Sequence, residues 1–502
     1  MKHAKVLLAA ILALGLVLRL MNLGSEPLWF DETWSASAAL QPSLNDALHL
    51  ALTYDEHPLL QHVLFYAWAR LGSAEWQLRL LSVISGMAAV LFVYLIGRRL
   101  GGEMLGLLSA LLVSISSIYI EFSQEFRPYM LITAIAAVSF YLLLVAKEGQ
   151  KPWQWALFFA SLVVGGYIEY LFALFIGVVA LFMVFEWGSL KKSRKSILLF
   201  ASIAFLLLLP NIFLALFQTR DQPWSFAQLS PLWRYLILPY QAYAFLLGLH
   251  APYLAGLSLK PILVPALAII FAFFALLFLY GLRKIKHRLL LISVMALPLL
   301  FMYVATFFRY VPLDPKRFLF LAFPLFIIIA NGLCSMKKKH FSAAFILVIV
   351  IFSVSLVSYY AYLKEDWRSV VHFVDAGRKP GDAVVVAANF LVVAYDYYTE
   401  DRADVFAMPS PYFVVQQGPA LQQLFQGKIQ RYNASDSRIT PERVSAFAQQ
   451  HLGSYQRVWL VQSRQKVNDP AEKTLGYFQT HFKLEQQKIF SDGVITAFLF
   501  VR

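Results

Sequence analysis

Residues 77–99 read QLRLLSVISGMAAVLFVYLIGRR, and the first 21 of them carry a single charge, Arg79, before Arg98 and Arg99 close the run. A helix that crosses a bilayer needs about 20 mostly apolar residues, so this stretch is read as a span with a basic flank. Ten more stretches have the same character, near 5–23, 103–119, 128–146, 152–167, 169–187, 196–217, 261–282, 289–308, 317–335 and 341–362. The fold class that follows is a polytopic α-helical membrane protein of about eleven transmembrane helices.

The links between these stretches alternate in charge. Lys2 and Lys5, Arg98 and Arg99, Lys147 and Lys151, then Lys191, Lys192, Arg194 and Lys195 fall on one side. Arg283, Lys284, Lys286 and Arg288, and the run Lys337, Lys338, Lys339 join them, 17 cations against ten elsewhere before residue 363. Cations mark the cytoplasmic side, so the N-terminus is expected in the cytoplasm and the C-terminus outside. An apolar N-terminal run could be a cleaved leader, but no small-residue cleavage site precedes Arg19, and an uncleaved first helix is expected.

Composition agrees. The 502 residues are 59% hydrophobic and 14% charged, against roughly 45–50% and about 25% in soluble globular chains, and mean hydropathy is +0.62. A soluble enzyme and a disordered chain are excluded. With one cysteine, Cys334, so are an intrachain disulfide and a cysteine-based metal site. The net charge of +14 is accounted for by topology, so no nucleic-acid partner is expected.

The membrane domain is placed at 1–362, with external loops at 24–76, 119–127, 218–260 and 309–316. In the first loop Leu44–Leu52 and His57–Leu71 read as amphipathic helices lying along the interface, and Pro231–Leu247 reads as another in the third. Beyond 363 the composition shifts to 16 Lys/Arg and 14 Asp/Glu with no spanning run. There Asp382–Ala387, Arg457–Val461 and Val494–Val501 read as strands, and Asp366–Ala376, Pro441–His451 and Pro470–Phe482 as helices. Residues 363–502 are thus expected to form a small external α/β domain, a scaffold or acceptor-docking module. Asn433-Ala434-Ser435 matches a glycosylation triplet, a pattern common by chance.

Chemistry-bearing residues gather on the external links. Twelve of the 15 Asp and Glu before residue 363 lie there. In Trp29-Phe30-Asp31-Glu32 two carboxylates sit among aromatics. They are either a solvated loop start or acids in a partly desolvated pocket, where burial raises a carboxylate toward general-base range. Asp55-Glu56-His57-Pro58 precedes a helix whose first turn Pro58 suits; His57 either caps it or binds an anion there. The run Glu121, Ser123, Gln124, Glu125, Arg127, Tyr129 packs unusual polarity between two spans, with Glu125 and Arg127 pairing each other or receiving a sugar and a phosphate. Glu169, between Tyr167 and Tyr170, reads as a solvated turn. Arg309, Lys316 and Arg317 put three cations on a side poor in them, matched to lipid headgroups or to a specific phosphate. Ionisable groups avoid the span centres, which argues against a proton-coupled carrier.

In order, Phe30-Asp31-Glu32, His57-Pro58-Leu59, Trp76-Gln77-Leu78-Arg79-Leu80-Leu81-Ser82, Ser123-Gln124-Glu125-Phe126-Arg127-Pro128-Tyr129, and Arg317-Phe318 before Pro324 resemble the bacterial protein-mannosyltransferase-like glycosyltransferases. These are GT-C membrane enzymes of the family 39 type, related to the aminoarabinose transferase that modifies lipid A. The resemblance covers roughly residues 1–335; many relatives carry His-Pro-Pro where this chain has His57-Pro58-Leu59, and many have a His near Glu169. It implies an inverting transfer, outside a bacterial inner membrane, of a sugar carried on polyprenyl monophosphate to a lipid, glycan or protein hydroxyl. Under it Asp31 is the general base, Glu32 orients Asp31 or binds acceptor, and Glu125 positions the sugar or serves as second carboxylate. Arg127, Lys316 and Arg317 neutralise the departing phosphate, and His57, Gln124 and Tyr129 line the substrate site. No cofactor and no required metal are expected. Two alternatives are a lipid-diphosphate-dependent oligosaccharide polymerase or ligase, and a non-catalytic lipid-glycan carrier.

Overall fold

In the computed structural model the described residues are 2–219, 231–250, 260–283, 285–307, 314–412, 418–426, 429 and 438–502. Arg309, most of the 309–316 loop, parts of the 218–260 loop and the Asn433 triplet lie outside them. The chain divides into two compact units, taken in turn.

The first unit comprises Met1–Leu23, Arg79–Ala215 and Trp224–Tyr362. Its helices are α1 (Lys2–Leu20), most of α5 (Glu75–Gly101), α6 (Glu103–Ile115), α7 (Ser117–Ser123), α8 (Tyr129–Gly149), α9 (Pro152–Ile168) and α10 (Phe172–Phe185). Then come α11 (Arg194–Thr219), α12 (Pro231–Leu247), α13 (Lys260–Gly281), α14 (Arg288–Ala305), a 3₁₀ helix Pro315–Leu321, α15 (Phe323–Cys334) and α16 (Lys338–Ala361). All eleven apolar stretches are helical. Among the described residues six helices are long and apolar enough to cross a membrane, and up to eight if each bent pair is one span. Of the remaining three stretches α10 is the shortest, with 14 residues, about 21 Å at 1.5 Å per residue, against a hydrocarbon core about 30 Å thick.

The bent pairs decide where polar groups can sit. α6 and α7 meet at 62°, and the 3₁₀ helix and α15 at 57°. Breaking a helix orphans carbonyls that lipid cannot satisfy. Arg19 answers the first break: fully buried, its guanidinium donates to the carbonyls of Gly15 (3.0 Å), Ser114 (3.1 Å) and Val113 (3.3 Å) and to Ser123 Oγ (3.0 Å). Gly86 makes room for this, since a Cβ there would stand 2.2 Å from Ser123 Oγ and 2.9 Å from Arg19 Nε. α13 and α15 approach backbone to backbone, a Cβ on Gly332 falling 2.2 Å from the Leu277 carbonyl, and Asn331 donates to the Gly281 carbonyl at 2.6 Å. Small residues permitting close contact drive helix association where burial of apolar area cannot.

The second unit comprises Gly24–Leu78, Leu216–Pro223 and Leu363–Arg502. Residues 24–78 therefore form one compact body with 363–502. They fold as α2 (Phe30–Ala39), α3 (Leu44–Tyr54) and α4 (Leu59–Ala69), α2 being an element the sequence reading leaves as loop. Pro58 caps α4 from outside instead of opening its first turn. The C-terminal part carries α17 (Trp367–Gly377), β1 (Ala383–Ala387), α18 (Val392–Tyr398), β2 (Val405–Met408), α19 (Ala420–Phe425), α20 (Pro441–His451) and β3 (Arg457–Ser463). After them follow α21 (Gln465–Asn468), α22 (Lys473–His481), β4 (Lys483–Phe490) and β5 (Ile495–Val501). The sheet order is β2-β1-β3-β5-β4, with β1 parallel to β2 and β3, and β5 antiparallel to β3 and β4. β1 is AVVVA and buried throughout, as a central parallel strand requires. β4, KLEQQKIF, is an edge exposed along most of its length, and its lysines discourage further strand pairing. One hydrophobic core joins Trp34, Ala38 and Leu50 to Trp367, Val384, Val385, Val386 and Trp459.

Candidate active site

The candidate residues divide between the two units. In the second, Asp31 and Glu32 occupy the first turn of α2, where free N–H groups and the helix dipole favour anions. Glu32 is fully buried and Trp34 is 6% exposed, while Asp31 is half-buried. Of the two settings open to Trp29-Phe30-Asp31-Glu32, this is the partly desolvated one. The turn is held from below: the Phe30 ring meets Phe390 edge-on at 5.3 Å and the Trp34 ring meets His62 at 5.9 Å. Arg464 lies over the Trp29 ring and pairs with Glu365. Tyr398 donates to Glu75 at 2.7 Å and accepts from the Leu28 N–H at 2.7 Å, fixing the approach to α2.

Between α3 and α4 stands a buried cluster. His57 Nδ1 is 2.7 Å from Asp55 Oδ1, and His62 Nε2 is 3.2 Å from Asp55 Oδ2. Burial alone would push the Asp55 carboxyl up, but the imidazoles, His57 foremost, hold it well below the usual carboxylate range. Gln218 ties the loop, donating to the carbonyls of Ala51, Asp55 and His57 at 3.2–3.3 Å. His57 thus has an anionic partner within its own loop; His62, one turn into α4, has no counterpart in the sequence reading. Asp55 meets one imidazole with each carboxylate oxygen, so the signal would have been an acid followed by two histidines spaced across a helix start.

In the first unit the run after α7 divides into anchors and candidates. Gln124 is an anchor: its amide donates to the carbonyls of Met21 (2.6 Å), Arg19 (3.0 Å) and Leu18 (3.3 Å), and accepts from Tyr359 Oη (2.7 Å). It closes the carboxyl end of α1, a structural use where substrate contact was expected. Arg79 serves likewise, buried and donating to the Leu23 carbonyl at 2.8 Å, and Ser82 donates to the Arg127 carbonyl at 3.3 Å. Glu125 and Arg127 are 3% and 7% exposed. Tyr129, at the start of α8, gathers cations: the guanidinium of Arg127 lies 5.7 Å and the ammonium of Lys316 5.8 Å from its ring centroid. An aromatic face attracts cations electrostatically, here bringing together two from distant parts of the chain. Lys316 Nζ is also 3.5 Å from Asp314, whose side chain caps the 3₁₀ helix through the Lys316 N–H. Arg317 follows in the first turn, half-buried.

Sequence reasoning missed His250. Its Nε2 is 2.9 Å from Glu121 Oε1, and its ring stacks on Tyr362 with centroids 3.8 Å apart; nothing in the local sequence around His250 signals this. Glu169 is corrected: it is 6% exposed and accepts from the Leu171 N–H at 3.2 Å, capping the turn into α10 instead of facing water. Among the described residues no group of three His, Cys, Asp or Glu is placed to hold a metal ion.

Solved structures of similar fold span both units. ArnT from Cupriavidus metallidurans in the apo state superposes with a TM-score of 0.59 at 12% identity, over 99% of this chain and 98% of that one. The chain has the GT-C fold. The same ArnT bound to undecaprenyl phosphate gives a TM-score of 0.56 at 12% identity, over 98% and 97% of the two chains. The Archaeoglobus fulgidus oligosaccharyltransferase in complex with Zn and sulfate gives 0.54 at 13% identity, over 92% of this chain and 68% of that one. Residues 56–213 match the PMT_2 family, dolichyl-phosphate-mannose-protein mannosyltransferase. No curated protein matches the chain by sequence. The protein is therefore a multi-pass membrane protein with an ArnT-like architecture.

Proposed function

We propose that this protein is an inverting glycosyltransferase that moves a sugar from a polyprenyl-phosphate donor to an acceptor hydroxyl at the outer face of a bacterial inner membrane. The observation that carries the reading is the pair of cations, Arg127 and Lys316, held on the Tyr129 ring beside a broken span. A charge pair built at such a break suits a phosphate whose lipid tail remains in hydrocarbon. ArnT's capture with undecaprenyl phosphate supports the donor class. The alternation of basic links supports the orientation.

In this reaction the acceptor oxygen attacks the anomeric carbon as Asp31 takes its proton. The bond from that carbon to the phosphate oxygen breaks, and its electron pair leaves with the phosphate. Arg127, Lys316 and Arg317 offset the negative charge that grows there; preorganised charge stabilisation of this kind usually contributes more to catalysis than any other single effect. Glu32 orients Asp31, Glu125 positions the sugar, and His57, held by Asp55, contributes to substrate binding. The acceptor is a lipid, glycan or protein hydroxyl. No metal is required, so activity is expected to survive EDTA; loss restored by Mn²⁺ or Mg²⁺ would sink that element.

The test is lipid mass spectrometry of membranes from cells carrying wild type, a null allele or Asp31→Asn. A polyprenyl-phosphate sugar accumulating equally in the null and the point variant is expected. Accumulation in the null alone would remove Asp31 as base and bring the carrier forward. Block transfer of oligosaccharide would favour the lipid-diphosphate polymerase.

A further inference from the structure

The first unit holds a cavity of about 700 Å³ between the carboxyl end of α10 and the amino end of α14. α10 itself has only 14 residues. One wall is apolar and open: Leu181 is 53%, Phe185 85%, Leu289 73% and Leu297 42% exposed. The other carries Arg283 and Arg288. Among the described residues neither arginine has a carboxylate within ion-pair distance; Arg283 lies over the Tyr280 ring, 5.1 Å from its centroid. The cavity's acid, Glu186, is already neutralised by Lys147 at 3.1 Å and accepts from Ser189 at 2.9 Å. His287 also lines the cavity, its ring edge-on to Phe182 at 6.3 Å. An oily groove ending in two uncompensated guanidiniums has the chemistry of one ligand class, since basic pockets between membrane helices bind anionic headgroups and arginine suits phosphate bidentately.

We propose that this cavity is a binding site for an anionic glycerophospholipid. Its phosphate is held by Arg283 and Arg288, and one acyl chain lies along Leu181, Phe185, Leu289 and Leu297. The site is at the opposite end of α10 from Glu169, and its occupant supplies apolar length that α10 lacks. It is independent of the donor-phosphate residues Arg127, Lys316 and Arg317, so the proposed reaction can fail while this inference stands.

The experiment is native mass spectrometry of the full chain after exchange through vesicles of phosphatidylglycerol, phosphatidylcholine or an equal mixture. Wild type is expected to retain one phosphatidylglycerol with at least tenfold preference over phosphatidylcholine. Arg283→Gln with Arg288→Gln should cut that preference at least fivefold. Lys338→Gln with Lys339→Gln, which removes the same charge from exposed positions at the start of α16, should leave it intact. Ser293→Trp, which fills the groove without touching charge, should also reduce retention. Equal retention of both lipids, or an arginine variant matching the lysine control, would overturn the proposal. Displacement of the lipid by millimolar inorganic phosphate would overturn it too, by showing an anion site with no place for a chain. All the substituted arginines and lysines are surface groups, and melting temperatures in phosphatidylcholine should match wild type.

Discussion

Trp34→Ala tests whether the C-terminal domain builds the candidate base's setting. Trp34 sits one turn beyond Asp31 on α2, is 6% exposed, and belongs to the hydrophobic core that holds Val384, Val385 and Trp459. Truncating a buried tryptophan to alanine costs about 3–5 kcal/mol, through lost transfer energy and the cavity left behind. Whole domains have only about 5–15 kcal/mol in hand, so the open state of this unit gains on the order of 10²–10⁴-fold in population. Phe30 against Phe390 is then the main remaining aromatic tie on the first turn, and the carboxylates should lose their fixed placement. The assay is limited proteolysis of purified protein, scored at sites within 24–78 and 363–502, alongside sugar transfer. Faster cleavage in both segments together is expected, with turnover falling in step, while Trp34→Phe keeps most of each. If Trp34→Ala melts and turns over like wild type, α2 does not depend on that core and the reasoning fails. For the same reason, deleting 363–502 removes the packing partner of α2, and the lost transfer that follows reports lost structure before it reports lost acceptor docking.

Lys316→Ala should lower kcat far more than it raises donor KM, by about 10²–10³-fold if Lys316 meets charge that develops in the transition state; an effect confined to KM would make it a ground-state contact. Asp55 has a folded value depressed from 3.8, so its stabilisation is present above that pH and lost as pH falls through the lower folded value. Asp55→Asn should therefore melt below wild type at neutral pH, with the gap closing at the acid end; a constant gap would refute the His57 and His62 pairing as its source. Gly332→Ala places a Cβ 2.2 Å from the Leu277 carbonyl, and since overpacking costs typically about 1–3 kcal/mol, its melting temperature in detergent should fall; no change would mean α13 and α15 separate freely.

Much of this architecture can be read from local pattern, because a span announces itself by an unbroken apolar run. The strands β1, β3 and β5 are similarly plain, each mostly buried and apolar. β4 escapes because an edge strand has water on most sides and keeps polar residues such as Glu485, Gln486 and Gln487. α2 escapes because FDETWSASAA offers no helical stripe; its helicity is settled by Trp34 and Ala38 finding a distant core. The grouping of 24–78 with 363–502 is invisible for the same reason. Gln124 marks a subtler limit: a polar residue in a run of charged and aromatic neighbours invites a substrate role, yet the end of α1 requires donors there, and that demand is set by a helix more than a hundred residues earlier.

The breaks themselves explain why the candidate chemistry of the first unit lies where it does. In hydrocarbon every backbone group must be paired, so polar side chains are tolerated only where protein itself supplies partners. Each bent pair creates such a place. Beyond α7 the chain delivers Glu125, Arg127 and Tyr129, and the 3₁₀ helix before α15 delivers Lys316 and Arg317. Arg19 takes up carbonyls freed at the first bend, and Gln124 takes up those at the carboxyl end of α1. A straight-helix variant at Ser116, such as Ser116→Leu, should close the α6–α7 bend and strand Arg19 without its Ser114 and Val113 acceptors. Loss of folding in that variant, with partial rescue by Arg19→Leu, is the expected signature of a guanidinium whose function is to complete the break; no rescue would mean that the bend is held by other contacts.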